Sequence, residues 1–278
     1  MNRPFFLLLS LCLTLSLAAC GSSAPEPEPP AAPQENEAPP AVLLSEEGLE
    51  DLPYGSPVNF DPSGLPEAYA AAIEAYCRGG TYPDGGKADE IPSRIAYAVL
   101  DVDGDGRDEL ILQNANTIMA GQTERIYDYD GAAFREEFSD FPALTYYDNG
   151  VIRADWSHNQ GWAGEFWPHY LYRYDAGSDA YENMGAVDAW NESLHPTGFP
   201  HDVDQDGDGM VYFLLTDNWG FAAYLDPASG EKYYTYEQPP VDGAEYLAWR
   251  DSLLQGASPV EIPYQTVNVE LIYPNAVG

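Results

Sequence analysis

Around residue 70 the chain carries apolar residues at helical spacing, with a proline in the first turn and a glycine pair beyond the end. Proline is typical of a first helical turn and glycine of a helix end, so the pattern predicts a helix over residues 65–78. The cysteine near its end, Cys77, is expected to be buried as a small hydrophobic residue. The apolar positions are Leu65, Tyr69, Ala72, Ile73 and Tyr76.

A second apolar stripe at helical spacing predicts a helix over residues 243–255 near the C-terminal end of the sequence. Asp242 is followed three residues later by Glu245, the spacing of a capping box in which the first side chain accepts a backbone N–H. The pattern therefore predicts that the Asp242 side chain caps this helix. The stripe consists of Tyr246, Trp249 and Leu253.

Between these helices, tyrosine-rich apolar runs alternate with turns rich in aspartate and glycine, which predicts antiparallel hairpins. Similar turns near residues 130, 176 and 228 lie about fifty residues apart, a spacing typical of strand-meander repeats. Chance similarity is the alternative. Residues 148–150 (Asp-Asn-Gly) predict a type I′ hairpin turn. The predicted fold is α+β and mainly antiparallel β, an open twisted meander whose edges or one face are covered by the helices.

One acidic, glycine-containing loop lies between two apolar, strand-like runs, residues 95–100 and 110–112. Its carboxylates occupy alternate positions of a tight turn, so their oxygens converge on one point, as the ligands of Ca²⁺ do. Carboxylates this close repel each other strongly without a cation. The loop predicts a calcium site, with a metal-free Asp-Gly turn as the alternative. The predicted ligands are the side chains of Asp101, Asp103, Asp105 and Glu109 and the backbone carbonyl of Arg107.

A second loop aligns with the first without a gap, through Asp204, Asp206 and Asp208. It has Tyr212 where the first loop has Glu109, so it lacks the acidic residue at position 9, counted from the first aspartate of each loop. We therefore expect this second loop to bind calcium more weakly, or to be a turn that has kept its acidic character.

The N-terminus has the pattern of an export signal. A basic start and an apolar run predict a signal peptide over residues 1–19, too short to span a membrane. The sequence ending in Cys20 resembles the lipobox of bacterial lipoproteins, which implies that Cys20 is lipid-modified and anchors the protein outside the cytoplasm. An ordinary signal peptide is the alternative. Residues 20–44 predict an extended Pro/Glu-rich linker, and residues 45–278 a single domain.

The charge balance narrows the possible partners. The chain has 11 Lys and Arg against 46 Asp and Glu, a formal net charge of −35. Nucleic acid binding is excluded because no basic face is available for phosphates. Adsorption to an anionic membrane is disfavoured for the same reason, so membrane contact is expected only through the lipid anchor.

The flanks of the first loop decide which family it resembles. An EF-hand needs flanking helices and a glutamate at position 12, whereas here the flanks are strand-like and position 12 is Leu112. The loop instead resembles the calcium loop of FG-GAP or VCBS repeats, and with the lipobox it is similar to FG-GAP-type bacterial surface lipoproteins. This resemblance implies that Glu109 completes the calcium site. It covers only the loop and its following strand, seen twice, and the FG-GAP element itself is missing.

The predicted function is a calcium-stabilised binding module without catalytic activity, whose partner is a glycan or a surface protein. Trp156, Trp162 and Trp167 lie close together in the sequence and could line a glycan groove, although a loop packed over the core is the alternative. No nucleophile elbow, Walker loop or zinc-type histidine spacing is present. The competing hypothesis is a calcium-stabilised surface hydrolase acting on polysaccharide or peptide, and an envelope-assembly role is a third. Oligomeric state is not predicted.

Overall fold

The computed structural model describes residues 54–115, 117–159, 161–215, 220–225 and 232–273. The predicted signal peptide, Cys20 and the linker lie outside the described residues. Within the described part of the chain, no helix has the length and apolar character needed to cross a bilayer.

The described residues form fourteen β-strands, two α-helices and one short 3₁₀ turn at Met119–Gly121. In chain order the strands and helices are β1 (Tyr54–Pro57), α1 (Glu67–Gly79), β2 (Arg94–Leu100), β3 (Glu109–Asn114), β4 (Thr123–Tyr129), β5 (Phe134–Asp140), β6 (Leu144–Tyr147), β7 (Val151–Asp155), β8 (His169–Asp175), β9 (Ala180–Asn191), β10 (Met210–Leu215), β11 (Phe221–Leu225), β12 (Lys232–Tyr236), α2 (Gly243–Leu254), β13 (Pro259–Val260) and β14 (Gln265–Ile272).

The strands form two six-stranded sheets and one two-stranded ribbon. Sheet I has the order β1-β14-β2-β3-β4-β5, sheet II the order β10-β9-β8-β7-β6-β13, and the ribbon pairs β11 with β12. All of these pairings are antiparallel. The predicted α+β class, mainly antiparallel β, is confirmed. The single open meander is wrong, because the strands divide into two packed sheets.

The two sheets pack face to face, and each helix covers an outer face. Ile111 of sheet I and Ile152 of sheet II belong to one buried cluster between the sheets. Leu110, the neighbour of Ile111 in β3, lies on the opposite face in a cluster with α1. Val151 of β7 packs in the same way with Leu253 of α2. Since side chains alternate between the faces of a strand, both faces of β3 and β7 are buried.

Helix α1 confirms the first sequence prediction to within two residues at its start and one at its end. Its buried face includes Ile73, Tyr76 and Cys77, and the Cys77 side chain is fully buried as expected. Gly80 ends the helix in the left-handed conformation, and its N–H donates to the carbonyl of Tyr76. The apolar period therefore predicted which residues contact sheet I.

Helix α2 also forms as predicted, but its capping box is wrong. The Asp242 side chain makes no capping hydrogen bond. The backbone carbonyl of Asp242 accepts hydrogen bonds from the N–H groups of Glu245 and Tyr246, both at 3.1 Å. The carboxylate of Asp242 is thus left for another role.

The hairpin at residues 148–150 forms between β6 and β7, but it is not a type I′ turn. That turn needs two central residues with positive φ, and in this turn only Gly150 has one, at 72°. The connection is a three-residue loop in which the Gly150 N–H donates to the Tyr147 carbonyl. A Cβ on Gly150 would lie 2.9 Å from the carbonyl oxygen of Asp103. Glycine therefore lets this hairpin of sheet II contact the first acidic loop of sheet I.

The other predicted hairpins form as β4–β5 and β8–β9, while the third turn, at 226–230, lies outside the described residues. The three tyrosine-rich hairpins belong to sheet I, sheet II and the ribbon respectively. The described residues therefore do not show one sheet unit that recurs at the fifty-residue spacing, and the repeat stays a prediction.

Candidate metal centres

The first acidic loop joins the end of β2 to the start of β3, and its own side chains fix its shape. The carboxylate of Asp101 accepts backbone N–H groups from Gly104 at 2.8 Å and Gly106 at 3.1 Å. Both glycines have positive φ, 86° and 91°, which residues with a Cβ rarely adopt. The carboxylate of Asp103 accepts the N–H of Asp105 at 2.9 Å. The loop is therefore held in one conformation by local bonds.

Three of the predicted ligands converge in this conformation. Asp101, Asp103 and Glu109 each offer a carboxylate oxygen, and these oxygens lie within 4.8 Å of one another. Calcium binds oxygen at 2.3–2.6 Å, so two ligands of one ion lie at most about 5 Å apart. The spacing of the three oxygens therefore fits one calcium ion.

Two of these side chains are buried and have an oxygen without a partner. Glu109 is 0% exposed; its Oε2 accepts the N–H of Val102 at 2.8 Å, whereas Oε1 has no hydrogen bond. Asp103 is 8% exposed, and its Oδ2 likewise lacks a partner. A buried, unpaired carboxylate oxygen is costly. A cation at this point would satisfy both oxygens.

Electrostatics leads to the same conclusion. Burial raises the pKa of Glu109 to about 9. The hydrogen bond from the N–H of Val102 lowers this pKa, whereas the nearby charges of Asp103, Glu137 and Asp105 raise it further. Burial also raises the pKa of Asp103. Without a cation these carboxyls therefore resist ionisation, and a cation would reverse that preference.

Asp105, a fourth predicted ligand, does not join the group. Its carboxylate accepts the backbone N–H of Arg107 at 2.8 Å and the Nε–H of the same residue at 2.7 Å. The Arg107 guanidinium extends further, to Asp128 at 2.8 Å and Asp179 at 3.3 Å. In this conformation Asp105 therefore positions Arg107, and the carbonyl ligand at Arg107 stays a prediction.

Sequence reasoning missed a neighbouring acidic cluster, formed by Asp128, Glu137 and Asp179, whose oxygens also lie within 4.8 Å of one another. Glu137 occupies a β-bulge, because Ile126 pairs with Phe138 whereas Tyr127 pairs with Glu136. A bulge re-aims a side chain. Burial raises the pKa of Glu137 to about 8.

Arginine side chains distinguish this cluster from the group of Asp101, Asp103 and Glu109 in the first loop. Arg107 pairs with Asp128, and Arg135 pairs with Glu137 and Asp179. The members come from β4, β5 and the β8–β9 turn, so no spacing in the sequence could have grouped them. The cluster is a partly neutralised extension of the first loop.

The second acidic loop repeats the backbone of the first. The carboxylate of Asp204 accepts the N–H groups of Gly207 at 2.9 Å and Gly209 at 3.1 Å. Asp206 accepts the N–H of Asp208 at 3.1 Å, and Asp208 accepts that of Met210 at 2.7 Å. These four bonds join the same positions as in the first loop. The gap-free alignment therefore corresponds to a shared conformation.

A residue distant in sequence joins this second loop. Asp204, Asp206 and Asp242 offer oxygens within 4.8 Å of one another, and Asp208 is not part of that group. Tyr212 and Val241 exchange backbone hydrogen bonds of 2.9 and 2.7 Å, which brings Asp242 beside the loop. The sequence did not predict this position, because the spacing of Asp242 to Glu245 predicts a helix cap.

The predicted tryptophan groove is not assembled as one exposed surface. Trp156 and Trp162 pack against a buried cluster of sheet II, and the Trp162 ring stacks on His195 at 4.7 Å. Trp167 is 38% exposed. The small cavity beside Trp162 has a volume of about 80 Å³, whereas ligand pockets typically measure about 300–1,000 Å³.

An open cavity of about 570 Å³ lies elsewhere, at the end of sheet I. Its lining includes Tyr82, Glu90, Ile118 and Arg125. The Arg125 guanidinium lies 4.3 Å from the centre of the Tyr82 ring. Ile118 is 78% exposed.

No family model, curated protein or solved structure matches this chain.

Proposed function

We propose that this protein is a lipid-anchored, extracytoplasmic interaction module that is stabilised by calcium and has no catalytic activity. The observation that carries the proposal is the convergence of Asp101, Asp103 and Glu109, with buried unpartnered oxygens on the last two. The cavity at Ile118 is additional support for an interaction module, and the anchor is proposed from the sequence that ends in Cys20.

The donor set favours calcium over softer metals. All three side chains offer oxygen, and neither histidine nor cysteine belongs to the group. Zinc and copper prefer nitrogen and sulfur ligands. Magnesium demands near-octahedral geometry and keeps several waters, whereas calcium accepts an irregular set of carboxylates and carbonyls.

The position of the site supports a stabilising role. An ion there would join the end of β2 to the start of β3, through Asp101 and Glu109. The same loop contacts the sheet II hairpin at Gly150, and its Asp108 carbonyl accepts the hydroxyl of Tyr69 from α1 at 2.5 Å. Calcium would therefore order a junction between α1 and both sheets.

The hydrolase alternative has less support. A hydrolase needs carboxyl groups with perturbed pKa values in a cavity that a substrate can enter. The carboxyls whose pKa is raised to about 9 and about 8 are Glu109 and Glu137. These residues are 0% and 7% exposed and belong to the buried acidic clusters, which suits structure better than turnover.

A surface protein is the partner class that fits better than a glycan. Two of the three candidate tryptophans are partly buried and pack against the core, so they do not form an exposed aromatic platform for stacking on sugars. The open cavity is within the size range of ligand sites, and Ile118 and Met119 beside it are 78% and 58% exposed. Exposed apolar side chains rimmed by charge are typical of protein contact sites.

The calcium part is tested by melting the full-length protein in EDTA and in calcium. We expect the wild type to melt at a higher temperature in calcium, and Asp103→Asn to lose the part of that response that comes from the first loop. Asp251→Asn, which changes an exposed aspartate of α2, is the matched control and should keep it. A calcium response of the same size in wild type and in Asp103→Asn, including no response in either, would remove the claim.

The other parts need separate measurements. Labelled palmitate should enter the wild-type protein and not Cys20→Ser; equal labelling would reject the anchor. Turnover of any polysaccharide or peptide in a substrate panel, with loss of activity in a carboxylate variant, would replace the interaction module with the hydrolase.

A further inference from the structure

The second acidic loop has the backbone of a calcium loop but lacks its position-9 acid, which is Tyr212 here. The Tyr212 ring stacks on Tyr246 of α2, with centroids 4.5 Å apart and planes at 15°. Together with the backbone bridge from Tyr212 to Val241, this contact fixes the start of α2 against the loop. Asp242 is the residue immediately before α2, so these contacts also place it beside the loop.

We infer that Asp204, Asp206 and Asp242 form a second calcium site, in which the N-cap residue of α2 supplies the carboxylate that the loop itself lacks. The three oxygens lie within 4.8 Å of one another, a spacing that one calcium ion can span. This ligand set replaces the one expected from the sequence, which included Asp208. The site does not depend on the first loop.

The state of Asp242 is the independent observation that points to a ligand. An aspartate at an N-cap normally accepts a backbone N–H of the first helical turn, which stabilises the helix by about 1 kcal/mol. Asp242 forms no such bond. It is only 9% exposed, and its Oδ1 is buried with no hydrogen-bond partner. A buried carboxylate oxygen that neither caps nor pairs is costly, and a cation would compensate it.

The surroundings concentrate negative charge without a compensating base. The loop contributes Asp204, Asp206 and Asp208, and the residue before α2 contributes Asp242. Among the described residues, none of these four aspartates forms an ion pair with lysine or arginine. The acidic cluster of Asp128, Glu137 and Asp179 beside the first loop, by contrast, is paired with Arg107 and Arg135.

A calcium ion at this site would link the start of α2 to sheet II. Asp204 and Asp206 precede β10, the edge strand of sheet II, and Asp242 begins the helix that covers the outer face of that sheet. An ion bound to all three would hold the first turn of α2 against the loop. Opening of α2 would then require release of the ion, so calcium would slow that opening.

Calcium titration of the calcium-free, full-length protein by calorimetry tests the inference through stoichiometry. We expect two calcium ions per wild-type chain and one in Asp242→Asn. Asparagine is also a good N-cap residue, so this change removes the charge without removing a helix start. Glu245→Gln is the matched control, because it removes a carboxylate from the first turn of the same helix outside the group; it should keep two ions. Asp103→Asn should keep the ion at the second loop.

Hydrogen exchange supplies a second measurement. At calcium 100 times the dissociation constant, the α2 amides should exchange about 100-fold more slowly in the wild type and in Glu245→Gln, and at an unchanged rate in Asp242→Asn. Two ions in Asp242→Asn, bound as tightly as in the control, would overturn the inference. So would a single wild-type ion that Asp103→Asn abolishes, although that result would leave the first site and the proposed function intact. A single wild-type ion that Asp242→Asn abolishes and Asp103→Asn keeps would instead contradict the first calcium site, on which the proposed function rests. It would leave this inference standing.

Discussion

Replacing Glu109 with glutamine should have opposite effects with and without calcium. The Glu109 side chain is fully buried, and its pKa lies at about 9 against an ordinary value of 4.5. Between these values the unfolded chain has released the proton that the calcium-free folded chain keeps. Folding stability therefore falls as pH rises through this window, by about 1.4 kcal/mol per pH unit for this one group.

The size of the effect at neutral pH follows directly. At pH 7 the unfolded carboxyl is 2.5 pH units above its pKa of 4.5, so calcium-free wild type is destabilised by about 3 kcal/mol relative to a side chain that cannot ionise. Glu109→Gln removes that loss. In a domain of this size, a gain of about 3 kcal/mol corresponds to a rise of roughly 6–12 °C in melting temperature. In calcium at 1,000 times the dissociation constant the order changes, because the wild type gains about 4.1 kcal/mol, which exceeds that loss, and the variant lacks a ligand.

The assay is urea and thermal denaturation between pH 5 and pH 9, in EDTA and in calcium. Glu182→Gln, an exposed position of β9, is the control and should follow the wild type throughout. The reasoning is refuted if Glu109→Gln is less stable than wild type in EDTA at pH 7. It is also refuted if the variant keeps the same dependence on pH, since that slope must then come from other groups.

Three further results are expected. Burial lowers the pKa of His169 to about 4 from 6.5, so wild-type stability should fall by up to about 3 kcal/mol as pH drops through that window, whereas urea denaturation of His169→Gln should show a smaller slope. Gly150→Ala and Gly131→Ala both place a Cβ at positive φ and should cost about 1–3 kcal/mol, but only the former, whose Cβ meets the Asp103 carbonyl oxygen, should weaken calcium binding in calorimetry. Burial raises the pKa of Cys77 to about 12, so a thiol reagent should modify it only in urea; reaction in the native state would contradict its burial.

The parts that could be predicted from the sequence are those set by local bonds. The first acidic loop is one, because Asp101 is bonded to N–H groups three and five residues later. Helix α1 is another, because its apolar period is continuous. The run Leu110-Ile111-Leu112 also carried a signal, since an unbroken apolar strand is buried on both faces; α1 covers one of them and sheet II the other.

Long-range neighbours could not be predicted in this way. The acidic cluster of Asp128, Glu137 and Asp179 depends on a β-bulge and on the packing of sheet I against the β8–β9 turn. At Asp242 the local pattern is present, but the side chain does not form the capping hydrogen bond that the pattern predicts. Its spacing to Glu245 fits a capping box, but the backbone bridge between Val241 and Tyr212 brings its carboxylate to a second acidic loop, where tertiary contacts override the local preference.

The two loops together separate what this motif determines from what it leaves to the fold. The motif determines the backbone, because four equivalent side-chain-to-backbone bonds recur in both loops. It does not determine the carboxylate that we propose as the closing ligand, which is Glu109 at the start of the next strand in one loop and Asp242, just before a distant helix, in the other. A loop judged incomplete from its own sequence can therefore be completed by the fold. The element that completes it is the one an ion would fix: β3 at the first loop and α2 at the second.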